Sequence, residues 1–197
     1  MNKKKERLRK EVIVTGFGGQ GIVLAGKILG MAAVLGDKKE STLVQSYGPE
    51  SRGGACSAQV IVSEAVIQYP YINTPDVLVC MSQSAYDKYK DQLKPEGMLL
   101  TDRDLVNTDG KRDYFAVPAT RMAEELGRKM MANIIMIGFT VAVTGVISET
   151  AARKAVAASV PKGTEEKNDQ AFTKGLEFGQ SLLKGRKRKA SGQTGVL

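Results

Sequence analysis

EVIVTGFGGQG, residues 11–21, joins a β-branched run to a glycine-rich turn, and an apolar helical pattern follows directly. Val, Ile, Val and Thr at residues 12–15 favour a buried strand. Gly16, Gly18 and Gly21 have the GxGxxG spacing of dinucleotide-binding turns. In that motif the first glycine makes the turn, the second allows close approach of an anion, and the third lets helix pack on strand. The stretch predicts a strand, a turn and a helix start, with either a ligand site or a tight crossover at the turn.

Strand and helix patterns alternate along the rest of the chain. An alternating run at residues 57–62 and a second run at 66–69 predict a hairpin. The uncharged stretch 130–148 is diluted by Asn, Thr, Gly and Ser, which favours a buried helix over a membrane span. Together these patterns predict an α/β fold with three layers: a doubly wound, mixed and mostly parallel sheet with one hairpin, and a helical C-terminal third.

Charge is concentrated at the two ends of the chain. The formal net charge is +8, but residues 3–10 and 184–189 each contribute +5, which leaves about −2 for the body. We therefore predict a basic leader at residues 1–10, a single α/β domain at 11–183 and a basic flexible tail at 184–197. A near-neutral body argues against nucleic-acid binding by the domain itself. The leader lacks the apolar core of a signal peptide, so a cytoplasmic location is predicted.

The composition excludes several kinds of catalytic site. The chain has no histidine, which rules out histidine-based triads, imidazole zinc sites and histidine general bases. Its two cysteines, Cys56 and Cys80, cannot form a four-cysteine iron–sulfur site within one chain. Two buried thiols in a reducing compartment are the simpler interpretation. We predict no catalytic residue and no metal site in this chain.

The glycine-rich turn is the first candidate binding site. Backbone amides at Gly16, Gly18, Gly19, Gln20 and Gly21, together with the dipole of the following helix, could hold a phosphate or a carboxylate. A nicotinamide dinucleotide site would also need an acid at the end of the second strand, and residues 44–47 read Val-Gln-Ser-Tyr instead. Gln20 also puts a bulky amide where helix and ligand meet. These residues therefore favour another anion, a partner contact or a purely structural turn over a dinucleotide, and all four alternatives stay open.

The second candidate is the loop that follows the second strand. Tyr47, Arg52, Gly53 and Gly54 lie in a stretch rich in turn residues. The guanidinium of Arg52 could meet an anionic group of a ligand or a partner, or could simply pair with a neighbouring glutamate. Both loops follow strands and should leave the same edge of the sheet. Asn133, at the start of the uncharged stretch, is predicted to be a helix cap.

Three stretches resemble one known family. VTGFGGQGIVLAGKILG at residues 14–30, SYGPESRGGACSAQVIVS at 46–63 and PDVLVCMSQSAYDKY at 75–89 are similar to the gamma subunit of 2-oxoacid:ferredoxin oxidoreductases. The resemblance covers about residues 11–178, and the wording of the second motif is most similar to the 2-oxoglutarate branch. The pyruvate and ketoisovalerate branches stay open.

The resemblance implies a role in a larger complex. That complex would oxidatively decarboxylate a 2-oxoacid with coenzyme A (CoA) to an acyl-CoA and reduce ferredoxin. Thiamine diphosphate and the iron–sulfur clusters would be held by alpha, beta and delta-type subunits, and this gamma chain would hold no cofactor alone. The two loops would lie against the partner subunits and help to enclose a substrate or CoA channel. No nucleic acid or membrane partner is implied, and the isolated chain could self-associate.

Two other functions are compatible with the residues alone. A stand-alone Rossmann-like nucleotide-binding or regulatory protein would use the glycine-rich turn for a dinucleotide. The isolated chain should then bind a dinucleotide tightly. A nucleic-acid-binding protein would place its affinity in the basic tail at residues 184–197, because the body is near neutral.

Overall fold

Six strands form one mixed sheet in the order β2-β3-β1-β4-β5-β6. The computed structural model of the chain describes residues 8–46 and 55–190. The strands are β1 (Arg9–Phe17), β2 (Glu40–Ser46), β3 (Ala55–Ser63), β4 (Val77–Cys80), β5 (Met98–Asp102) and β6 (Tyr114–Val117). Strands β1, β4, β5 and β6 are paired in parallel, whereas β3 runs antiparallel to both β1 and β2. The predicted α/β class with a mixed sheet is confirmed.

Among the described residues, six α-helices pack with this sheet. They are α1 (Ile22–Met31), α2 (Gln83–Tyr89), α3 (Ala119–Glu125), α4 (Ala132–Thr144), α5 (Glu149–Ser159) and α6 (Glu165–Ala190). A π-helical turn, Ala32–Gly36, prolongs α1, and 3-10 turns at Lys90–Gln92 and Lys129–Met131 follow α2 and precede α4. The hydroxyls of Ser82 and Ser148 cap α2 and α5. The C-terminal third is helical, as predicted.

The predicted hairpin between residues 57–62 and 66–69 is wrong. The hairpin is formed by β2 and β3, and β3 then lies between β2 and β1 with both of its edges paired. No edge of β3 is left for a further strand. Residues 66–69 instead form a loop, in which Ile67 packs against the core and Val66 is 80% exposed.

Alternation along the strands divides the core between two faces of the sheet. Val12 and Val14 of β1 pack in the larger cluster with α1, α4, α5 and α6. Ile13 faces the other side, where α2 and the loop before β4 cover the sheet. This period of two is the expected geometry of a strand buried on both faces. The sheet is thus the middle of three layers.

Helix α4 is the most deeply buried helix of the larger cluster. Nearly all of its residues are shielded from solvent, and it packs closely against α6. A Cβ atom on Gly138 of α4 would come within 3.0 Å of the backbone nitrogen of Leu176 on α6. The buried-helix prediction is confirmed. In the described part of the chain, no helix combines the length and apolar character needed to cross a membrane.

The two ends of the described chain are more regular than predicted. Strand β1 begins at Arg9, inside the predicted leader, and α6 continues to Ala190. Residues 184–190 are therefore helical, not part of a flexible tail. Arg186 of this helical turn donates hydrogen bonds to the Asp113 carboxylate and to the carbonyl oxygen of Tyr114 on β6. Its guanidinium carbon also lies 4.0 Å from the centre of the Phe115 ring.

Candidate functional site

The glycine-rich turn begins two residues later than its sequence motif indicates. Gly16 is still part of β1 and is paired with Cys56 of β3. The chain turns at residues 18–20, where the Gln20 N–H donates to the carbonyl oxygen of Phe17 at 3.2 Å. Gly19 and Gly21 have φ of 93° and 74°, in the left-handed region that favours glycine. Gly21 is the N-cap residue of α1.

Gln20 points inward, under the turn. Its Oε1 accepts a hydrogen bond from the Phe17 N–H at 2.6 Å, and its Nε2 donates to the carbonyl oxygen of Met81 at 2.8 Å. The side-chain amide therefore connects the end of β1 to the residue that follows β4. It does not occupy the outer side of the turn, where we expected it to obstruct a ligand.

Asn133 fixes the other end of the turn. Its Nδ2 donates to the carbonyl oxygen of Gly21 at 3.2 Å, and its Oδ1 accepts from the Ile134 N–H at 2.9 Å. The predicted role as a helix cap is wrong, because α4 begins at Ala132 and its N-cap residue is Met131. The sequence does not indicate which residue Asn133 contacts, since 112 residues separate the two partners. Proximity in the fold brings them together.

The outer side of the turn is open to solvent. Gly18 and Gly19 are exposed, and Cβ atoms built on either would contact nothing within 4 Å among the described residues. A cleft of about 450 Å³ lies beside Gly19. Its lining is Gly19, Gly21, Leu24, Arg128, Lys129, Met130, Met131, Asn133, Ile134, Val160, Pro161, Thr164, Lys167 and Asn168.

The chemistry of this cleft suits an anionic molecule with an apolar part. Arg128, Lys129 and Lys167 supply positive charge, and Lys129 also pairs with Glu124 at 3.4 Å. No aspartate or glutamate is among the described residues that line it. The N-terminus of α1 adds the positive end of a helix dipole. The N-cap residue of this helix makes no side-chain capping hydrogen bond. Leu24, Ile134 and their neighbours give an apolar floor.

The second candidate loop leaves the same edge of the sheet. Phe17 at the end of β1 pairs with Ala55, and Ser46 at the end of β2 pairs with Ser57. The predicted juxtaposition of the two loop origins therefore exists. Tyr47, Arg52, Gly53 and Gly54 themselves lie outside the described residues.

Both thiols are buried and unreactive in character. Burial raises the pKa of the Cys56 thiol. Burial also raises the pKa of the Cys80 thiol to about 12, although a hydrogen bond from Thr15 lowers it in part. In the described ranges, no three carboxylate or thiol side chains are grouped as a metal site would require. The described residues thus offer a binding edge, with no group placed as a nucleophile or a metal ligand.

Comparison with known proteins agrees with the sequence motifs. The family model described as pyruvate ferredoxin/flavodoxin oxidoreductase matches residues 11–178. The 2-oxoglutarate synthase subunit KorC of Methanocaldococcus jannaschii is 50% identical over 187 residues, which are 92% of this chain and 100% of the relative. The ketoisovalerate oxidoreductase subunit VorA of Methanothermobacter thermautotrophicus is 34% identical over 71% of this chain, but only 30% of its own length is matched.

Solved structures have the same fold. A keto/oxoacid ferredoxin oxidoreductase gamma subunit from Geobacter sulfurreducens gives a TM-score of 0.81 at 40% identity, covering 88% of this chain and 98% of the other. The 2-oxoglutarate:ferredoxin oxidoreductase of Magnetococcus marinus gives 0.79 at 24% identity, covering 89% of this chain and 32% of the other, and supports the fold. The chain therefore belongs to the pyruvate ferredoxin/flavodoxin oxidoreductase family, as a gamma subunit of a 2-oxoacid:ferredoxin oxidoreductase.

Proposed function

We propose that the complex containing this gamma subunit uses 2-oxoglutarate. It would decarboxylate 2-oxoglutarate oxidatively with CoA, form succinyl-CoA and pass electrons to ferredoxin. The observation that carries the choice of substrate is the 50% identity to a 2-oxoglutarate synthase subunit over that relative's whole length. Relatives named for ketoisovalerate and pyruvate are 34% and 30% identical. A cytoplasmic location follows from this role.

In this proposal the reacting groups belong to other subunits. Alpha, beta and delta-type subunits would hold thiamine diphosphate and the iron–sulfur clusters, and ferredoxin would dock on the complex. The chain has no histidine and both of its thiols are buried, which favours a supporting, non-catalytic role within the complex. Surfaces meant for these partners would also allow the isolated chain to self-associate.

The proposed contribution of this chain is one wall of the CoA channel. CoA carries phosphates on one part and apolar groups on another. The α1 N-terminus with Arg128 and Lys167 suits the phosphates, and the apolar floor of the cleft suits the remainder. The second loop, with Tyr47, Arg52, Gly53 and Gly54, would contact the same ligand or a neighbouring subunit from the same edge.

Gly18→Ala tests the channel directly. The added methyl group would enter open space at the tip of the turn and touch no described residue of this chain. In the assembled complex we expect the KM for CoA to rise by about tenfold, because in this proposal the ligand lies against the tip of the turn and a methyl in a close contact costs roughly 1–3 kcal/mol. Gly185→Ala is the matched control, since its Cβ also contacts nothing within 4 Å. An unchanged KM and unchanged assembly for Gly18→Ala would sink the proposal.

Arg52→Ala tests the second loop in the same complex. We expect weaker subunit assembly or a higher KM for CoA, because the guanidinium would be meeting an anionic group. A separate experiment, calorimetry of the isolated chain with NAD, NADP, FAD and CoA, tests the alternative function. Tight binding of a dinucleotide would favour a stand-alone nucleotide-binding protein and count against the present proposal. Steady-state rates with 2-oxoglutarate, pyruvate and ketoisovalerate would test the choice of substrate.

A further inference from the structure

We infer that Gln20 and Asn133 are positioning residues, which hold the glycine-rich turn in its ligand-binding shape through hydrogen bonds to its backbone. The effect on CoA rests on the proposed function, whereas the effect on the turn does not. Each side-chain amide holds one end of the turn, and each does so from a different layer of the fold. The turn is therefore fixed at both ends before any ligand arrives.

Gln20 connects the start of the turn to the sheet. Its two hydrogen bonds, from the Phe17 N–H and to the Met81 carbonyl oxygen, use both halves of the amide. Met81 is in turn held to β1, because its N–H donates to the carbonyl oxygen of Thr15 at 2.8 Å. The amide fits because Gly16 leaves space for it. A shorter or apolar side chain at residue 20 could not make both bonds.

Asn133 connects the end of the turn to the helix layer. It is 2% exposed, and its Nδ2 shares the carbonyl oxygen of Gly21 with the N–H of Ala25, which donates at 2.9 Å. A Cβ on Gly21 would come within 2.9 Å of the Asn133 side-chain carbon Cγ. The close contact and the left-handed φ of 74° both require glycine at residue 21.

Fixing both ends orients the backbone amides that face the cleft. A binding loop that already has its bound conformation loses less conformational entropy when the ligand binds, so affinity rises without a new contact. Loosening either end should therefore raise the KM for CoA and leave kcat nearly unchanged, because neither amide reaches a reacting atom. The same loosening should be visible in the free chain as faster backbone exchange at the turn.

The test compares Gln20→Leu and Asn133→Leu with Gln59→Leu. Gln59 is a matched control, because its Oε1 also accepts a loop N–H, that of Ile72 at 2.9 Å, away from the turn. Hydrogen exchange of the residue 20 and Ala25 amides in the full-length chain is the first readout. Their acceptors, the carbonyl oxygens of Phe17 and Gly21, remain in all three variants. We expect exchange at least about tenfold faster in both turn variants and unchanged in the control.

The second readout is the KM for CoA against kcat in the assembled complex. We expect about a tenfold rise in KM with kcat within about twofold. Asn133→Asp keeps the acceptor for Ile134 but loses the donor to Gly21, and should behave like Asn133→Leu. Unchanged exchange in both turn variants would overturn the inference. Faster exchange together with an unchanged KM in these variants and in Gly18→Ala would keep the positioning role and overturn the CoA proposal instead.

Discussion

Gly16 leaves the space that the side-chain amide of Gln20 occupies. A Cβ atom at residue 16 would overlap Oε1 of Gln20 and would lie 2.7 Å from Cδ1 of Ile22 and 3.1 Å from Cβ of Met81. Glycine is therefore required here by close packing inside a strand. The sequence motif had assigned it to the turn, which begins two residues later.

Gly16→Ala should destabilise the chain. The overlap displaces Gln20 and strains Ile22 and Met81, so we expect a loss of about 1–3 kcal/mol in the free energy of unfolding. Urea unfolding of the isolated chain measures it. Gly18→Ala, whose Cβ meets no described atom, is the control and should unfold at nearly the wild-type urea concentration. Equal midpoints for the two variants would contradict the packing argument.

Gly138 and Gly175 set the separation of α4 and α6. A Cβ on Gly138 would overlap the carbonyl oxygen of Phe172, and a Cβ on Gly175 would overlap that of Ile135. Because these obstacles are backbone atoms of packed helices, they cannot move aside as a side chain can. Either Gly→Ala variant should lose about 3 kcal/mol or more, or fail to fold. Gly179→Ala, which meets chiefly the Cβ of Ala142 at 2.7 Å, should lose less. Thermal unfolding ranks the three, and the reverse order would refute this explanation.

Cys80 should resist thiol reagents in the native state and make the chain less stable at alkaline pH. Burial raises its pKa to about 12, above its unfolded value of about 8.5–9. Below about pH 7.5 the thiol is protonated in both states, so its contribution to stability is fully present. From about pH 9 to 12 the unfolded thiol ionises while the folded one does not, and stability falls.

Two measurements check the Cys80 prediction. Because Cys56 is buried as well as Cys80, Ellman's reagent at pH 8 should label neither thiol of the native chain rapidly. In urea, where the chain is unfolded, the reagent should label both thiols. Unfolding experiments between pH 8 and 11 should show a shallower decline for Cys80→Ala than for the wild type. Rapid labelling of the native Cys80→Ser variant would instead show that Cys56 is accessible.

Local patterns predicted the elements of this fold better than their contacts. The strand and helix start around the glycine-rich turn and the buried α4 depend on neighbouring residues, and the sequence was sufficient for them. The hairpin was misplaced because its partner depends on which edges of β3 are occupied. That is a property of the whole sheet order, which no local alternation encodes.

The candidate site shows the same division. The glycine-rich turn was found because its spacing is local, and the common edge of the two loops followed from strand direction. The inward orientation of Gln20 depends on Met81, and the role of Asn133 depends on Gly21, 112 residues away. A sequence pattern gives no such distance. An amide residue at the start of an uncharged helical stretch was the available signal, and a cap explained it equally well.

Arg186 is expected to stabilise the edge of the sheet at β6. It donates to Asp113 at 2.6 Å and to the Tyr114 carbonyl oxygen, and its guanidinium covers the Phe115 ring. Truncation after residue 183 removes these contacts, whereas truncation after residue 187 keeps them. We expect the first to lower Tm by several degrees, since about 1 kcal/mol corresponds to roughly 2–4 °C for a chain of this size. The second truncation should leave Tm nearly unchanged.

Arg186→Lys should resemble the first truncation, because an ammonium group cannot reproduce the planar, two-pronged contact. Equal Tm values for the two truncations would show that the helical turn after residue 183 contributes nothing to the fold.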